Sequence, residues 1–197
     1  MTTGFLLIVV LSYLSGSIPF GFIFSKFKGV DITKLGSGNI GATNISRVFG
    51  VKWALLIGIL DVLKGAIPVY LAKQSGYDGW NLATICLSPI VGNIFSLWLN
   101  FKGGKAVSTT FGVLLVLLGW QLSLVVLLVW FSLLYLINLM SLTNLLLILF
   151  SPYLLYSLYG YKLAIVGFLM VIMIWYTHRK NIARLISGQE PFLFDRQ

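Results

Sequence analysis

The single histidine of the chain, His178, stands three residues before Asn181 and is followed by Arg179, Lys180 and Arg184. Residues three apart on a helix share a face. His178 and Asn181 could therefore address one substrate, an imidazole able to move a proton beside an amide able to donate a hydrogen bond. A lone histidine at a membrane interface is more usually just an amphipathic group whose polar tip reaches water. A second constellation, Asn100-Phe101-Lys102-Gly103-Gly104-Lys105, sets two ammonium groups around a Gly-Gly bend at a prospective helix N-terminus. Free N–H groups and the helix dipole favour phosphate at such a place, although plain topology also accounts for the lysines. The third is Gly36-Ser37-Gly38-Asn39-Ile40-Gly41-Ala42-Thr43-Asn44. Its glycines allow backbone N–H groups to converge into an anion-binding nest, with Ser37, Thr43 and Asn44 as further donors; a flexible turn is the alternative. Neither glycine segment is a nucleotide motif, since a G-x-G-x-x-G needs a βαβ unit for which there is no room, and no Walker A pattern is present.

The elements that must position these groups are set by composition. Of 197 residues 58% are apolar and only 10% charged, with a mean hydropathy of +0.96; soluble domains carry about 25% charged residues. This composition implies an all-α integral membrane protein and excludes a soluble enzyme, a disordered chain and a nucleic-acid-binding module despite a net charge of +9. Cys86 is the one cysteine, and no Cys/His cluster has metal-ligand spacing. No metal or cofactor is expected.

Stretches near the roughly 20 residues that cross a bilayer run from Gly4 to Phe24, Trp53 to Ala72 and Leu82 to Leu99. Between Thr109 and Tyr176 the chain is almost continuously apolar. Polar breaks near Gly119-Trp120-Gln121, Met140 to Asn144 and Gly160 to Lys162 divide it into four more spans, seven in all within a single domain of residues 1–197. Cytoplasmic flanks are enriched in Lys and Arg. Lys26, Lys28, Lys34, Arg47, Lys52, Lys102, Lys105, Arg179, Lys180, Arg184 and Arg196 fall on one side, against Lys73 and Lys162 on the other. The N-terminus is then outside and the C-terminus cytoplasmic, an odd-span arrangement. No basic residue precedes Lys26, so the first span is expected to be retained rather than cleaved. With this parity the glycine loop, the Lys-Gly-Gly-Lys turn, a turn at Ser141 and the His178 cluster share the cytoplasmic side, forming a cation-rich surface suited to a phosphorylated substrate. Within the second span Asp61 and Lys64 are three apart and can neutralise one another. A structural ion pair is the favoured reading, a substrate-facing pair the alternative.

Several ordered motifs resemble one family. They are Ser15-Gly16-Ser17-Ile18-Pro19-Phe20, Lys28-Gly29-Val30-Asp31, the glycine loop with Arg47, Asp61-x-x-Lys64-Gly65, Phe101 to Lys105, and His178-x-x-Asn181-Ile182-x-Arg184-Leu185 with Gly188 and Glu190. Together they are similar to the PlsY family, the bacterial acyl-phosphate:glycerol-3-phosphate acyltransferases, over nearly the whole chain. The resemblance implies a seven-helix inner-membrane enzyme. It would move a fatty acyl group from acyl phosphate to the sn-1 hydroxyl of glycerol 3-phosphate, giving lysophosphatidic acid and phosphate. It also implies a cytoplasm-facing pocket that holds glycerol 3-phosphate through Ser37, Arg47, Lys105, Ser141, His178 and Asn181. Gly36, Gly38, Asn39, Gly41, Thr43, Asn44, Lys102, Gly103 and Gly104 line the same pocket, the acyl chain lies in an adjacent hydrophobic groove, and the lipid bilayer is the protein's partner. Catalytic roles then fall to Ser37, Lys105, His178 and Asn181.

The chain departs from the family pattern in the third span and at the end of the Lys-Gly-Gly-Lys turn. It carries Gly92-Asn93 with Ser96 where Gly-His and a later Pro are usual, and Lys105-Ala106 where Lys-Gly is usual. Asn93 can hydrogen-bond but cannot shuttle a proton. Nor is there an H-x-x-x-x-D pair, since Ala183 stands five residues after His178. Direct attack without an acyl-enzyme is therefore favoured, with a substrate phosphate accepting the proton and Asn181, Lys105 and backbone N–H groups stabilising the developing charge. The rival reading is a transporter of an organic phosphate, whose cationic pocket and broken helices would look similar; no internal repeat supports it.

Overall fold

The computed structural model describes residues 3–193; Arg196, one of the residues used for orientation, lies outside the described residues. Ten α-helices and two 3-10 turns make up the described residues, with no strand among them. This is what lipid demands of a single chain without a closed barrel, since a helix satisfies its own backbone where water cannot. The chain folds as two compact units, Met1–Val116 and Leu117–Gln197.

The first unit contains α1 (Thr3–Ser17), α2 (Phe20–Phe27), α3 (Ala42–Phe49), α4 (Val51–Gln74), α5 (Gly79–Ile94) and the start of α6 (Val107–Ile137). Pro19 separates α1 from α2 and the two bend by 42°. α1 packs chiefly on α5 and then on α4. Missing side chains make this closeness possible: a Cβ on Gly16 would overlap the Pro89 backbone, and one on Gly92 would overlap the Tyr13 carbonyl. The seam ends in interlocked hydroxyls, where Ser96 Oγ donates to Ser17 O at 2.6 Å and Leu97 N donates to Ser17 Oγ at 2.7 Å. The opposite face of α1 presents Leu6, Leu7, Val10 and Leu11, each more than half exposed, as a lipid-facing surface must.

Asp61 and Lys64 stand on α4, with Lys64 Nζ 2.7 Å from Asp61 Oδ1. The same ammonium donates to Ile18 O at 2.7 Å, in the break between α1 and α2. Pro19 cannot continue the hydrogen-bond ladder, and Lys64 satisfies a carbonyl that the break exposes. These contacts fit the structural role favoured for the pair. A second core lies under α2, α3 and α4, where Ile32, Ile40, Ile45 and Ile57 are buried against Phe24 and Trp53.

The second unit contains the remainder of α6, then α7 (Met140–Ile148), α8 (Ser151–Tyr159), α9 (Tyr161–Thr177) and α10 (Arg179–Ile186). Two expected breaks fall where the sequence placed them. Gly119 interrupts α6 at φ 76, ψ 167, and Gly160 separates α8 from α9 at φ 74. The break expected at Met140 to Asn144 lies instead at Asn138 and Leu139, because Asn138 adopts φ 59, a left-handed conformation that asparagine tolerates. Ser141 therefore occupies the first turn of α7 rather than a turn between helices.

Four helical stretches are long and apolar enough to cross a membrane: Val51–Gln74, Gly79–Leu99, Val107–Ile137 and Met140–Tyr159. Two bent pairs, α1 with α2 and α9 with α10, bring the number to six when each pair counts as one span. The protein is thus a multi-pass membrane protein.

Candidate active site

In the first unit the glycine loop is built around one buried side chain. Asn44, 1% exposed in the first turn of α3, accepts from Ser37 N through Oδ1 at 2.8 Å. Its Nδ2 donates to Leu35 O and Asn39 O at 2.9 Å each, and to Ile32 O at 3.4 Å. Its amide is thus engaged by the loop backbone, which folds around it as around a post. Gly36 has φ +56, and a Cβ there would overlap Asn44 Oδ1, so the turn requires glycine on both counts. Asn39 Oδ1 accepts from Gly41 N at 2.8 Å, ordering the entry to α3. Ser37 is left exposed, as is Arg47 on α3, with Gly38, Gly41 and Thr43 half-buried around them.

Asp31 braces the base of the loop. Its Oδ1 accepts from Thr33 Oγ1 at 2.6 Å and Thr33 N at 3.1 Å, and its Oδ2 lies 3.1 Å from Lys26 Nζ. The Thr33 hydroxyl first, and then Lys26, hold its carboxyl down to a pKa of about 2.

The Lys-Gly-Gly-Lys segment folds back onto the end of α5. Gly103 N donates to Ile94 O and Gly104 N to Asn93 O, both at 2.9 Å, while Ala106 N donates to Asn93 Oδ1 at 3.0 Å. A Cβ at Gly103 would overlap Asn93 O. Lys102 is exposed and Lys105 half-buried. A Cβ at Gly104 would lie 3.5 Å from Ile40 Cγ1, so the structure brings this segment against the glycine loop.

In the second unit Ser141, His178 and Asn181 are all buried. His178 is the last residue before α10, at the 64° bend from α9. Its Nδ1 lies 2.8 Å from Ile174 O; a carbonyl can only accept, so Nδ1 carries a proton and the ring is held in place through it. Asn181 Nδ2 donates to Glu190 Oε1 at 2.6 Å, and Arg184 Nε to Glu190 Oε2 at 2.7 Å. Burial alone would raise the Glu190 pKa, but Asn181, Ser141 and Arg184 outweigh it and hold the carboxyl below its usual range. The Ser141 hydroxyl faces this carboxylate, though it lies outside ordinary hydrogen-bond geometry. The tail carrying Glu190 is tied down further on, where Leu193 N donates to Asn138 O at 3.0 Å. Lys180 is exposed.

A family model described as glycerol-3-phosphate acyltransferase matches residues 6–188. The chain belongs to that family. A glycerol-3-phosphate acyltransferase of Prochlorococcus marinus (strain NATL1A) is 40% identical over 193 residues, covering 94% of this chain and 96% of the relative. One from Aquifex aeolicus (strain VF5) is 38% identical over 188 residues, covering 94% and 97%. The crystal structure of PlsY, an integral membrane glycerol 3-phosphate acyltransferase, in its glycerol 3-phosphate form superposes with a TM-score of 0.91 at 36% identity, covering 96% of this chain and 95% of that one. Its lysophosphatidic acid form gives 0.89. An organic-phosphate transporter is not favoured for a member of this acyltransferase family.

Two residues of this glycerol-3-phosphate acyltransferase carry more of the local architecture than their sequence signal suggests. Glu190, which entered only within the family motif, gathers Asn181 and Arg184 and faces Ser141. Asn93, marked as a departure, holds two amides of the lysine loop. The available signal for Glu190 was scarcity, since the chain has only five acidic residues.

Proposed function

We propose that this protein transfers a fatty acyl group from acyl phosphate to the sn-1 hydroxyl of glycerol 3-phosphate, releasing lysophosphatidic acid and inorganic phosphate. The observation that carries the reading is the family match over residues 6–188 together with the close likeness to PlsY in its glycerol 3-phosphate form. It acts as one domain spanning residues 1–197, crossing the inner membrane seven times. The break at Gly119 supports two spans in α6, and the distribution of Lys and Arg supports an outside N-terminus and a cytoplasmic site.

Arg47 and Lys105 bind the phosphate of glycerol 3-phosphate, helped by Ser37, Thr43, Lys102 and the backbone of Gly36, Gly38, Asn39, Gly41, Gly103 and Gly104. Asn44 serves by holding the loop in shape. Ser141, His178 and Asn181 orient the glycerol. Acyl phosphate is a mixed anhydride with a good leaving group, so catalysis consists mainly of alignment, which alone supplies several kcal/mol, plus neutralisation of phosphate charge. The sn-1 hydroxyl attacks the acyl carbon, the C–O bond to phosphate breaks, and a phosphate oxygen takes the proton. Asn181, Lys105 and backbone N–H groups stabilise the oxyanion.

Purified protein given palmitoyl phosphate and glycerol 3-phosphate should release lysophosphatidic acid and inorganic phosphate in equal amounts without added metal. Equal turnover with palmitoyl-CoA, or no turnover with palmitoyl phosphate, would refute the reading.

A further inference from the structure

Lys105 lies between two residues whose amides are both held by Asn93. On one side Gly104 N donates to the Asn93 carbonyl at 2.9 Å; on the other Ala106 N donates to Asn93 Oδ1 at 3.0 Å. The bracket is buried, Asn93 being 6% and Ala106 4% exposed, so water competes poorly for either bond. Ala106 is also at φ 61, a left-handed conformation that a Cβ disfavours. It persists only where its surroundings impose it, and the bond to Asn93 Oδ1 is the contact that fixes its amide. Positions 93 and 106, both departures from the family pattern, are therefore bonded to one another.

We infer that Asn93 is a positioning residue which, by gripping the backbone on both sides of Lys105, fixes the place and direction in which its side chain leaves the main chain to reach the substrate phosphate. The side-chain half of the grip needs only an acceptor at Oδ1. A neutral amide supplies one at every working pH, whereas an imidazole would lose its acceptor on protonation. This inference rests on the acyltransferase reading above.

Two readouts separate the two claims. Amide exchange across residues 100–107 reports the grip without any turnover. In the wild type the Ala106 amide should exchange far below the intrinsic rate of an unprotected amide, and Asn93→Ala should speed it at least tenfold. In the acyltransfer assay Asn93→Ala should raise KM for glycerol 3-phosphate at least fivefold with a smaller change in kcat. Asn93→Asp, which retains the acceptor, should restore slow exchange and bring KM back within threefold of the wild type. Ala106 exchanging at the intrinsic unprotected rate in the wild type overturns the inference even if Asn93→Ala fails to fold. So does Asn93→Ala with wild-type KM, or Asn93→Asp as impaired as Asn93→Ala. A wild type inactive on palmitoyl phosphate refutes the acyltransferase reading while the exchange experiment still decides whether the grip exists.

Discussion

Glu190 Oε1 accepts a hydrogen bond from Asn181 Nδ2 at 2.6 Å, so the amide proposed to stabilise the reacting oxygen is itself aimed by a carboxylate nine residues downstream. The same carboxylate accepts from Arg184 Nε at 2.7 Å with its side chain only 6% exposed. Glu190→Gln should lower stability by about 1.5–3 kcal/mol, the range for hydrogen bonds to charged groups, and should lower kcat. The effect has a direction in pH. The folded pKa lies below the usual 4.5, so the brace is complete above that value and is lost as pH falls below it. Melting curves in detergent should show the gap between wild type and Glu190→Gln narrowing as pH is lowered through 4.5, and a constant gap would refute the assignment.

Phosphate binding and chemistry should separate in the kinetics. Arg47→Ala should raise KM for glycerol 3-phosphate with little change in kcat, by the roughly 1.5–3 kcal/mol of a charged hydrogen bond; Lys105→Ala should raise KM and lower kcat. His178→Ala and Asn181→Ala should lower kcat more than they raise KM, as for contacts made mainly in the transition state. Lys180 is exposed, and Lys180→Gln should be silent. An inactive Lys180→Gln beside unaffected His178→Ala would place the site elsewhere.

Asn44→Ala removes the post around which the glycine loop folds. Four hydrogen bonds link this side chain to loop backbone, each contributing on the order of 0.5–1.5 kcal/mol. The variant should lose most activity and gain protease sensitivity between residues 32 and 41. Asn44→Asp keeps the acceptor for Ser37 N but loses the donations to Ile32, Leu35 and Asn39, and should fare no better than partly.

For the Asp61–Lys64 pair the expected outcome is non-additive. Asp61→Leu or Lys64→Met alone leaves a buried charge without its partner, which costs about 3–5 kcal/mol. The double variant removes both charges and should melt above either single variant. If the double variant melts at the sum of the two losses, the pair is not acting as a unit.

Topology can be read by labelling cysteines in oriented vesicles after replacing buried Cys86. Ser37→Cys and Lys105→Cys should react with a membrane-impermeant maleimide from the cytoplasmic side. Reaction from the opposite side alone overturns the orientation.

Much of the helical plan was legible because its punctuation is chemical. Gly119 and Gly160 could be recognised as breaks since glycine takes φ near +75° without a steric penalty. Asn138 was less visible: an asparagine within an apolar run signals a turn weakly, and the more polar stretch that follows it proved to be the start of α7. The glycine and lysine loops announced themselves by composition, but their internal order did not. Whether Asn44 and Asn93 face a ligand or their own backbone depends on partners up to 13 residues away, and spacing along the chain carries no record of that. Glu190 was hidden for the same reason, since it meets Asn181 through the fold-back of Gly188 and Gln189 onto Leu185 and Arg184 and the return of the tail onto Asn138.

The seam between α1 and α5 bears on how this sequence can drift. At Gly16 and Gly92 any added carbon meets backbone rather than a side chain that could swing aside, so selection should hold both positions to glycine. Leu6, Leu7, Val10 and Leu11, on the lipid side of the same helix, turn more than half of their surface to a fluid that accepts any apolar shape. In a saturation library grown under selection for membrane lipid synthesis, α1 should therefore evolve as two half-cylinders. One would exchange leucine, isoleucine, valine and phenylalanine almost freely, and the other would stay frozen.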